Sequence, residues 1–229
     1  MPTLNTSKTG TAIGQSSTNF STARQTGNSV FSNPTTTNDR AISYTGTAGR
    51  GSLTHNMRRT FLYFDTSGLT GTISNTSLNI RGVTNDSADV IVLKSTAFGG
   101  DGSSNLNTSE FFSSIDYSTA YSSEYDSWTA SGDNDISLNS TANTDIQNND
   151  AFICAIVEHT HDFGNSAASS ATTSEAGVHF GVTITLTYTE TAAPSGPANV
   201  ASVSGVAKAS IATINTVAIA DISSINTVS

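Results

Sequence analysis

Apolar and polar residues alternate with a period of two along much of this chain, and that pattern predicts β-strands. The clearest example is the segment 180–189, where threonine or glycine fills every second position and the residues between are Phe180, Val182, Ile184, Leu186 and Tyr188. Successive side chains of a strand point to opposite faces, so this segment is predicted to have one face in a core and one at the surface. No segment carries the long 3.6-residue apolar stripe of an amphipathic helix.

Further short apolar runs, bounded by polar residues, predict the other strands. The run at 61–64 is apolar without a break, which is typical of a strand buried on both faces. The remaining predicted strands are 11–15, 28–31, 41–44, 73–80, 88–93, 135–139 and 152–157. Loops are predicted at 46–55, 98–134 and 158–177, and single helical turns at 110–115 and 141–147. Together these elements predict an all-β, jelly-roll-like antiparallel β-sandwich over 11–190. It is preceded by an N-terminal arm at 1–10 that is either free or ordered only against a partner.

Four segments, in order along the chain, also carry a family resemblance. They are Arg-Arg-Thr-Phe-Leu-Tyr-Phe-Asp followed by a loop and an Ile/Leu strand (58–81), Asn-Asp-Ile-Ser-Leu-Asn (134–139), Glu-His-Thr-His-Asp-Phe (158–163) and the closing strand 182–188. This order resembles the DNRLRE-type jelly-roll domain. Such domains occur in secreted carbohydrate-associated proteins and in phage structural proteins, so the resemblance implies a fold and no particular reaction.

The last thirty residues repeat at intervals of eleven. β-Branched apolar residues occupy the same three positions in each of the three copies: Val200, Val203, Val206, Ile211, Ile214, Val217, Ile222, Ile225 and Val228. Residues 191–199, with two prolines and a glycine, predict a linker before this tail. Its Val, Ile, Thr, Ser and Asn residues are poor helix formers, so short β rungs are favoured over a helix.

A tail of this length cannot bury such residues alone. We therefore expect it to bind copies of itself, as a homotrimer, or capsid or tail proteins. The repeat is similar to the Ile-Asn-Gly-Val-Ala type found at the ends of phage and viral structural proteins, although its glycine is kept only at Gly205 and is replaced by Thr216 and Thr227. A disordered remnant of a linker is the alternative.

The amino-acid composition argues against some classes of protein for this chain and favours others. Charged residues make up 12% of the chain, about half the usual share, and the net charge is −9. Binding to nucleic acid is not expected, because phosphate neutralisation needs clustered cations. No secretory signal and no membrane-spanning segment are expected, yet the hydroxyl- and amide-rich composition is typical of extracellular proteins. This combination favours a virion location, with secretion by another route as the alternative. The single Cys154 lies in an apolar run and is predicted to be a core residue.

Candidate chemistry is sparse, and neither a catalytic set nor an enzymatic activity is expected. Glu158, His159, His161 and Asp162 lie together after a predicted core strand. If that strand continued, the two histidines would share a side and form a pair for a divalent metal. Asp65 is a candidate calcium ligand at a strand end, although such a residue more often caps a turn.

Aromatic residues in the polar segment at 117–128 are the candidates for binding glycans. Tyr121, Tyr125 and Trp128 are predicted either to stack on sugar rings or to form a small core within the loop. The sequence therefore predicts a structural virion protein of a phage: a head fibre, a capsid decoration protein or a tail appendage. The alternative is a carbohydrate-binding module of a secreted or cell-surface protein, which would bind host-surface glycans.

Overall fold

The computed structural model describes residues 1–49 and 51–192. It also describes the backbone of four two-residue strands in the tail, namely Ser202–Val203, Val206–Ala207, Thr213–Ile214 and Val217–Ala218. The chain divides into two compact units, Met1–Leu69 with Ile73–Thr189, and Thr70–Thr72 with Glu190–Ser229. Strands account for 51% of the residues and helices for 14%, so the predicted all-β sandwich class is confirmed.

Twelve strands of the described region form one antiparallel sheet. They are β1 (Thr3–Asn5), β2 (Lys8–Gly14), β3 (Gly27–Ser32), β4 (Thr37–Ala48), β5 (Leu53–Asp65), β6 (Thr72–Asp86), β7 (Val90–Ser95), β8 (Ile115–Ala120), β9 (Asp133–Ser137), β10 (Ala151–Glu158), β11 (Thr172–His179) and β12 (Thr185–Thr191). The strand order is β1-β12-β6-β11-β4-β5-β10-β7-β8, with β2 on β3 and β5, and β9 on β6. The helices are α1 (Phe20–Gln25), α2 (Glu110–Ser113) and α3 (Ser140–Asn148), and a π-helical turn covers His159–Phe163.

The centre of the sheet is buried on both faces. In β10, Phe152, Cys154 and Ile156 pack into one apolar cluster. The residues between them, Ile153, Ala155 and Val157, pack into a second cluster on the other face. Strand β5 pairs with β10 and divides its residues in the same way, which explains why these segments are apolar without a break.

The first cluster is the core of the sandwich. It joins Phe64 and Phe152 of the central strands to Leu78 of β6, Ile136 of β9 and Leu186 of β12. These two groups of strands are separated in the sheet by β11 and β4. The sheet therefore curls over so that its two parts face each other across one apolar layer.

The N-terminal residues are not a free arm, so that prediction is wrong for 1–10. Strand β1 pairs with β12, with Leu4 opposite Leu186, and β2 pairs with β5, with Lys8 opposite Tyr63. The sequence does not indicate this pairing, because the segment is polar and its strands pair through backbone hydrogen bonds, which any residue type can form.

All three predicted loops contain strand residues, and the segment 98–134 contains β8. Most of 46–55 belongs to the hairpin of β4 and β5, in which Gly46 lies opposite His55. Part of 158–177 belongs to β11, whose small residues pass close to β6: a Cβ atom added at Gly177 would lie 2.9 Å from the backbone nitrogen of Thr84. Neither segment has alternating apolar and polar residues. These strands are held in the sheet by backbone hydrogen bonds and close packing against a neighbouring strand, and not by an apolar face.

The alternating segment 180–189 is a strand only in its second half, since β12 begins at Thr185. Ile184, Leu186 and Tyr188 are buried as predicted. Val182 is instead 41% exposed, in a turn after β11. Strand β8 and helix α1 were not predicted, while the helical turns at α2 and α3 were.

In the tail, the described strands form two short antiparallel pairs. Val203 lies opposite Val206, and Ile214 lies opposite Val217. The pairs begin at Ser202 and Thr213, so they repeat at the eleven-residue interval of the sequence. This agrees with the prediction of β rungs rather than a helix. Outside the described residues lie most of the predicted linker (193–199) and the tail residues Val200, Ile211, Ile222, Ile225 and Val228.

Candidate metal centre

One end of the central strands gathers side chains that can bind a metal ion. Glu158, the last residue of β10, lies opposite Val90 at the start of β7. One residue farther, the backbone N–H of His159 donates to the carbonyl of Asp89 over 2.9 Å. Val90 also exchanges two backbone hydrogen bonds with Tyr125, which holds Glu124 at the same end of the strands.

Asp89, Glu124 and His159 each offer one ligand atom, and these atoms all lie within 4.8 Å of one another. His159 Nδ1 lies 3.3 Å from Glu124 Oε1, and the imidazole stacks on the ring of Phe163. Glu124 is exposed and the other two side chains are partly exposed, so solvent reaches the group. Among residues 1–49 and 51–192, no other group brings three such side chains together.

Asp89 is held in place from two sides. Its Oδ1 accepts a hydrogen bond from the Ser174 hydroxyl over 3.1 Å, and its Oδ2 accepts one from the Thr160 hydroxyl. Both donors are neutral, so they orient the carboxylate without neutralising its charge.

Glu158 is a fourth acidic side chain at this place, and it is 1% exposed. Its Oε2 accepts hydrogen bonds from the backbone N–H groups of His161 and Asp162, at 2.7 and 2.8 Å. Its Oε1 is buried without a hydrogen-bond partner. Burial, together with the charge of neighbouring Asp89, raises the pKa of Glu158 to about 8.

The histidine pair predicted from the sequence does not form. The strand ends at Glu158, and the π-helical turn that follows separates His159 from His161. His161 Nδ1 lies 2.8 Å from the carbonyl oxygen of Ser166, and its ring packs on Tyr44 at 4.2 Å between centroids. The prediction of a shared side was wrong because it required the strand to continue.

Asp162 belongs to a buried ion-pair network. Arg59 donates from Nε to Oδ2 over 2.6 Å and from Nη2 to Oδ1 over 2.8 Å, and neither side chain is exposed. Tyr117 donates its hydroxyl to the same carboxylate over 3.0 Å, and Arg24 Nε lies 3.4 Å away. The Arg59 guanidinium also stacks on Phe111, 3.9 Å from the ring centroid. With its oxygens paired in this way, Asp162 has a structural role.

Asp65 caps a turn and does not join a metal group. Its Oδ1 accepts from the backbone N–H of Ser67 over 3.1 Å and from the Ser67 hydroxyl over 2.6 Å. These hydrogen bonds lower the pKa of the exposed Asp65 carboxyl. The geometry is that of the turn-capping alternative.

The aromatic residues proposed to bind glycans lie mainly inside the protein. Tyr121 and Trp128 are only 2% and 3% exposed, and both belong to the core of the sandwich. Tyr121 donates its hydroxyl to Asp145 Oδ2, and partly buried Tyr125 packs edge-on against Trp128. Buried rings cannot stack on a sugar, so Tyr121 and Trp128 do not form the predicted binding platform, and Tyr125 alone of the three is partly exposed.

Sequence reasoning singled out His159 and Glu158 but missed Asp89 and Glu124. Asp89 precedes a strand and Glu124 lies in a long polar segment, so neither has a distinctive local context. The strand register brings them together, and no short-range spacing indicates that register.

A comparison with models of protein families found no match, and a comparison with curated proteins found none either. The resemblance to the DNRLRE-type domain and to the viral tail repeat therefore stays a prediction. None of the described helices has the length and apolar character needed to cross a membrane.

Proposed function

We propose that the protein is a structural component of a bacteriophage particle that displays its β-sandwich and assembles, as a homotrimer, through its tail. The observation that carries this proposal is the pair of short antiparallel hairpins at the eleven-residue interval of the sequence repeat. A hairpin with strands of two residues is not stable in water by itself. A regular series of such hairpins, rich in valine and isoleucine, therefore needs a surface that covers it.

The composition of the chain supports the same proposal. The scarcity of charged residues and the abundance of serine, threonine and asparagine are typical of all-β proteins that persist outside cells. A head fibre, a capsid decoration protein and a tail appendage all fit a sandwich with an assembling tail.

The proposal is tested by sedimentation velocity of the full chain and of a variant carrying Val203→Asp, Ile214→Asp and Val217→Asp. We expect the unchanged chain to sediment as a trimer and the variant as a monomer, because carboxylates cannot be buried in an apolar interface without a large cost. A matched control carries Ser202→Asp and Thr213→Asp, which add charge at polar positions of the same repeats, and should remain a trimer. An unchanged chain that sediments as a monomer at all concentrations would overturn the proposal.

A carbohydrate-binding module is the second candidate, and one surface feature favours it. Phe31 is 51% exposed and borders a cleft of about 530 Å³ with Asn38, Arg40 and Arg58. Burial, together with the charge of nearby Arg40, lowers the pKa of Arg58. The cleft is also lined by Asp39, and Arg40 Nε pairs with Glu175 over 3.1 Å. The exposed ring therefore offers an apolar face beside mixed polar groups, which suits a sugar.

A glycan array distinguishes this candidate from the first. If the cleft binds glycans, Phe31→Ala and Arg40→Ala should abolish the signal, while Arg81→Ala, which removes an arginine elsewhere, should leave it unchanged. An array without signal for the unchanged chain, or a signal that Phe31→Ala does not reduce, would exclude the cleft as a glycan site.

A further inference from the structure

We propose that Asp89, Glu124 and His159 bind one divalent transition-metal ion of the Zn²⁺ type. The inference is independent of assembly through the tail, because all three residues belong to the sandwich unit.

The ligand set determines the class of metal. It contains one imidazole nitrogen and two carboxylates, with ligand atoms within 4.8 Å of one another. Imidazole is a good ligand for Zn²⁺ and related ions, whereas Ca²⁺ and Mg²⁺ prefer sites made of oxygen alone. Three protein ligands at a solvent-accessible position leave a coordination position for water.

The position of Glu158 is an independent indication of a cation. This side chain is 1% exposed, and its Oε1 is buried without a hydrogen-bond partner next to Asp89. A buried polar oxygen without a hydrogen-bond partner is costly. A cation bound between Asp89 and Glu158 would offset this cost.

The protein supplies little positive charge of its own at this place. Within the part of the chain that the structure describes, no lysine or arginine forms an ion pair with Asp89, Glu124 or Glu158. The nearby arginines Arg24 and Arg59 both pair with Asp162. The carboxylates of Asp89 and Glu124 therefore meet one imidazole, and a divalent ion is the partner that balances them.

A metal ion here would join three segments that are far apart in the sequence. Asp89 precedes β7, His159 follows β10, and Glu124 lies in the segment between β8 and β9. That segment also carries Trp128, whose ring fills part of the sandwich core. The ion would thus fix this connection to the end of the central strands.

The test is isothermal titration of Zn²⁺ into the full chain, with Glu124→Gln and His159→Gln as variants. Glu124 is exposed, so its replacement removes a ligand without disturbing the core. We expect one Zn²⁺ per chain, with at least a ten-fold loss of affinity in each variant. His179→Gln is the matched control, because it removes a histidine outside the group and should leave the affinity unchanged.

Thermal unfolding with and without Zn²⁺ gives a second readout. The ion should raise the melting temperature of the unchanged chain and of His179→Gln, and it should raise that of Glu124→Gln much less. Three results would overturn the proposal: no Zn²⁺ binding, binding that Glu124→Gln and His159→Gln leave unchanged, or binding of Ca²⁺ in place of Zn²⁺.

Discussion

Replacement of Asp162 by alanine tests whether the buried ion-pair network holds the sandwich together. Asp162 and Arg59 are both fully buried, and two hydrogen bonds of 2.6 and 2.8 Å join them. The substitution leaves the Arg59 guanidinium buried without a counter-charge, which costs about 3–5 kcal/mol in comparable cases. That is a large part of the roughly 5–15 kcal/mol that stabilises a typical domain.

The loss can be measured by urea unfolding, followed through the fluorescence of the single tryptophan, Trp128, which is 3% exposed. For a domain of this size, about 3–5 kcal/mol corresponds to a fall in melting temperature of about 6–20 °C. A charge-free pair at the same two positions, Arg59→Met with Asp162→Leu, should lose less than Asp162→Ala alone, because the fully buried Arg59 charge is removed and Arg24 keeps its hydrogen bond to the backbone carbonyl of residue 162.

The matched control is Asp133→Ala. Asp133 pairs with Arg81 over 3.5 Å, and their side chains are 54% and 38% exposed. An exposed pair contributes about 0–1 kcal/mol, so this variant should unfold close to the unchanged protein. The reasoning is refuted if Asp162→Ala costs no more than Asp133→Ala, or if the charge-free pair is as unstable as Asp162→Ala.

Three further predictions concern the interior. Burial raises the pKa of the Cys154 thiol, so a thiol reagent at pH 8 should label it only after denaturation; rapid labelling of the folded protein would contradict this. Gly82→Ala should lower the free energy of unfolding by urea by about 1–3 kcal/mol, because the new Cβ would lie 2.1 Å from the carbonyl oxygen of Thr129. Gly68→Ala is the control, since its new Cβ has nothing within 4 Å and the variant should be as stable as the unchanged protein. Equal stabilities of the two variants would contradict the predicted clash at Gly82. Trp128→Ala should lower stability by about 3–5 kcal/mol, as expected for a core residue. Its urea unfolding is followed by circular dichroism, because the variant has no tryptophan, and an unchanged midpoint would contradict the burial of Trp128.

The best-predicted strands are those whose apolar residues are buried in the core. The unbroken runs at 61–64 and 152–157 have both faces covered, and the residues at 184–188 have one face covered. The polar strands β1 and β11 were missed, because backbone pairing with neighbouring strands forms them and local composition does not reveal such pairing.

The candidate metal centre shows the same limit. His159 stood out because it lies next to Glu158 and close to another histidine. Its partners Asp89 and Glu124 come from segments that only the strand register brings together. The burial of Trp128 could not be predicted for a similar reason, since a polar loop gives no indication of which of its rings enters the core.

Amide hydrogen exchange of the tail residues 200–229 in the full chain tests the central claim most directly. If copies of the chain cover the tail, its amides should be protected at high protein concentration. They should exchange rapidly when the protein is diluted until the assembly dissociates. Rapid exchange of these amides at every concentration would contradict assembly through the tail.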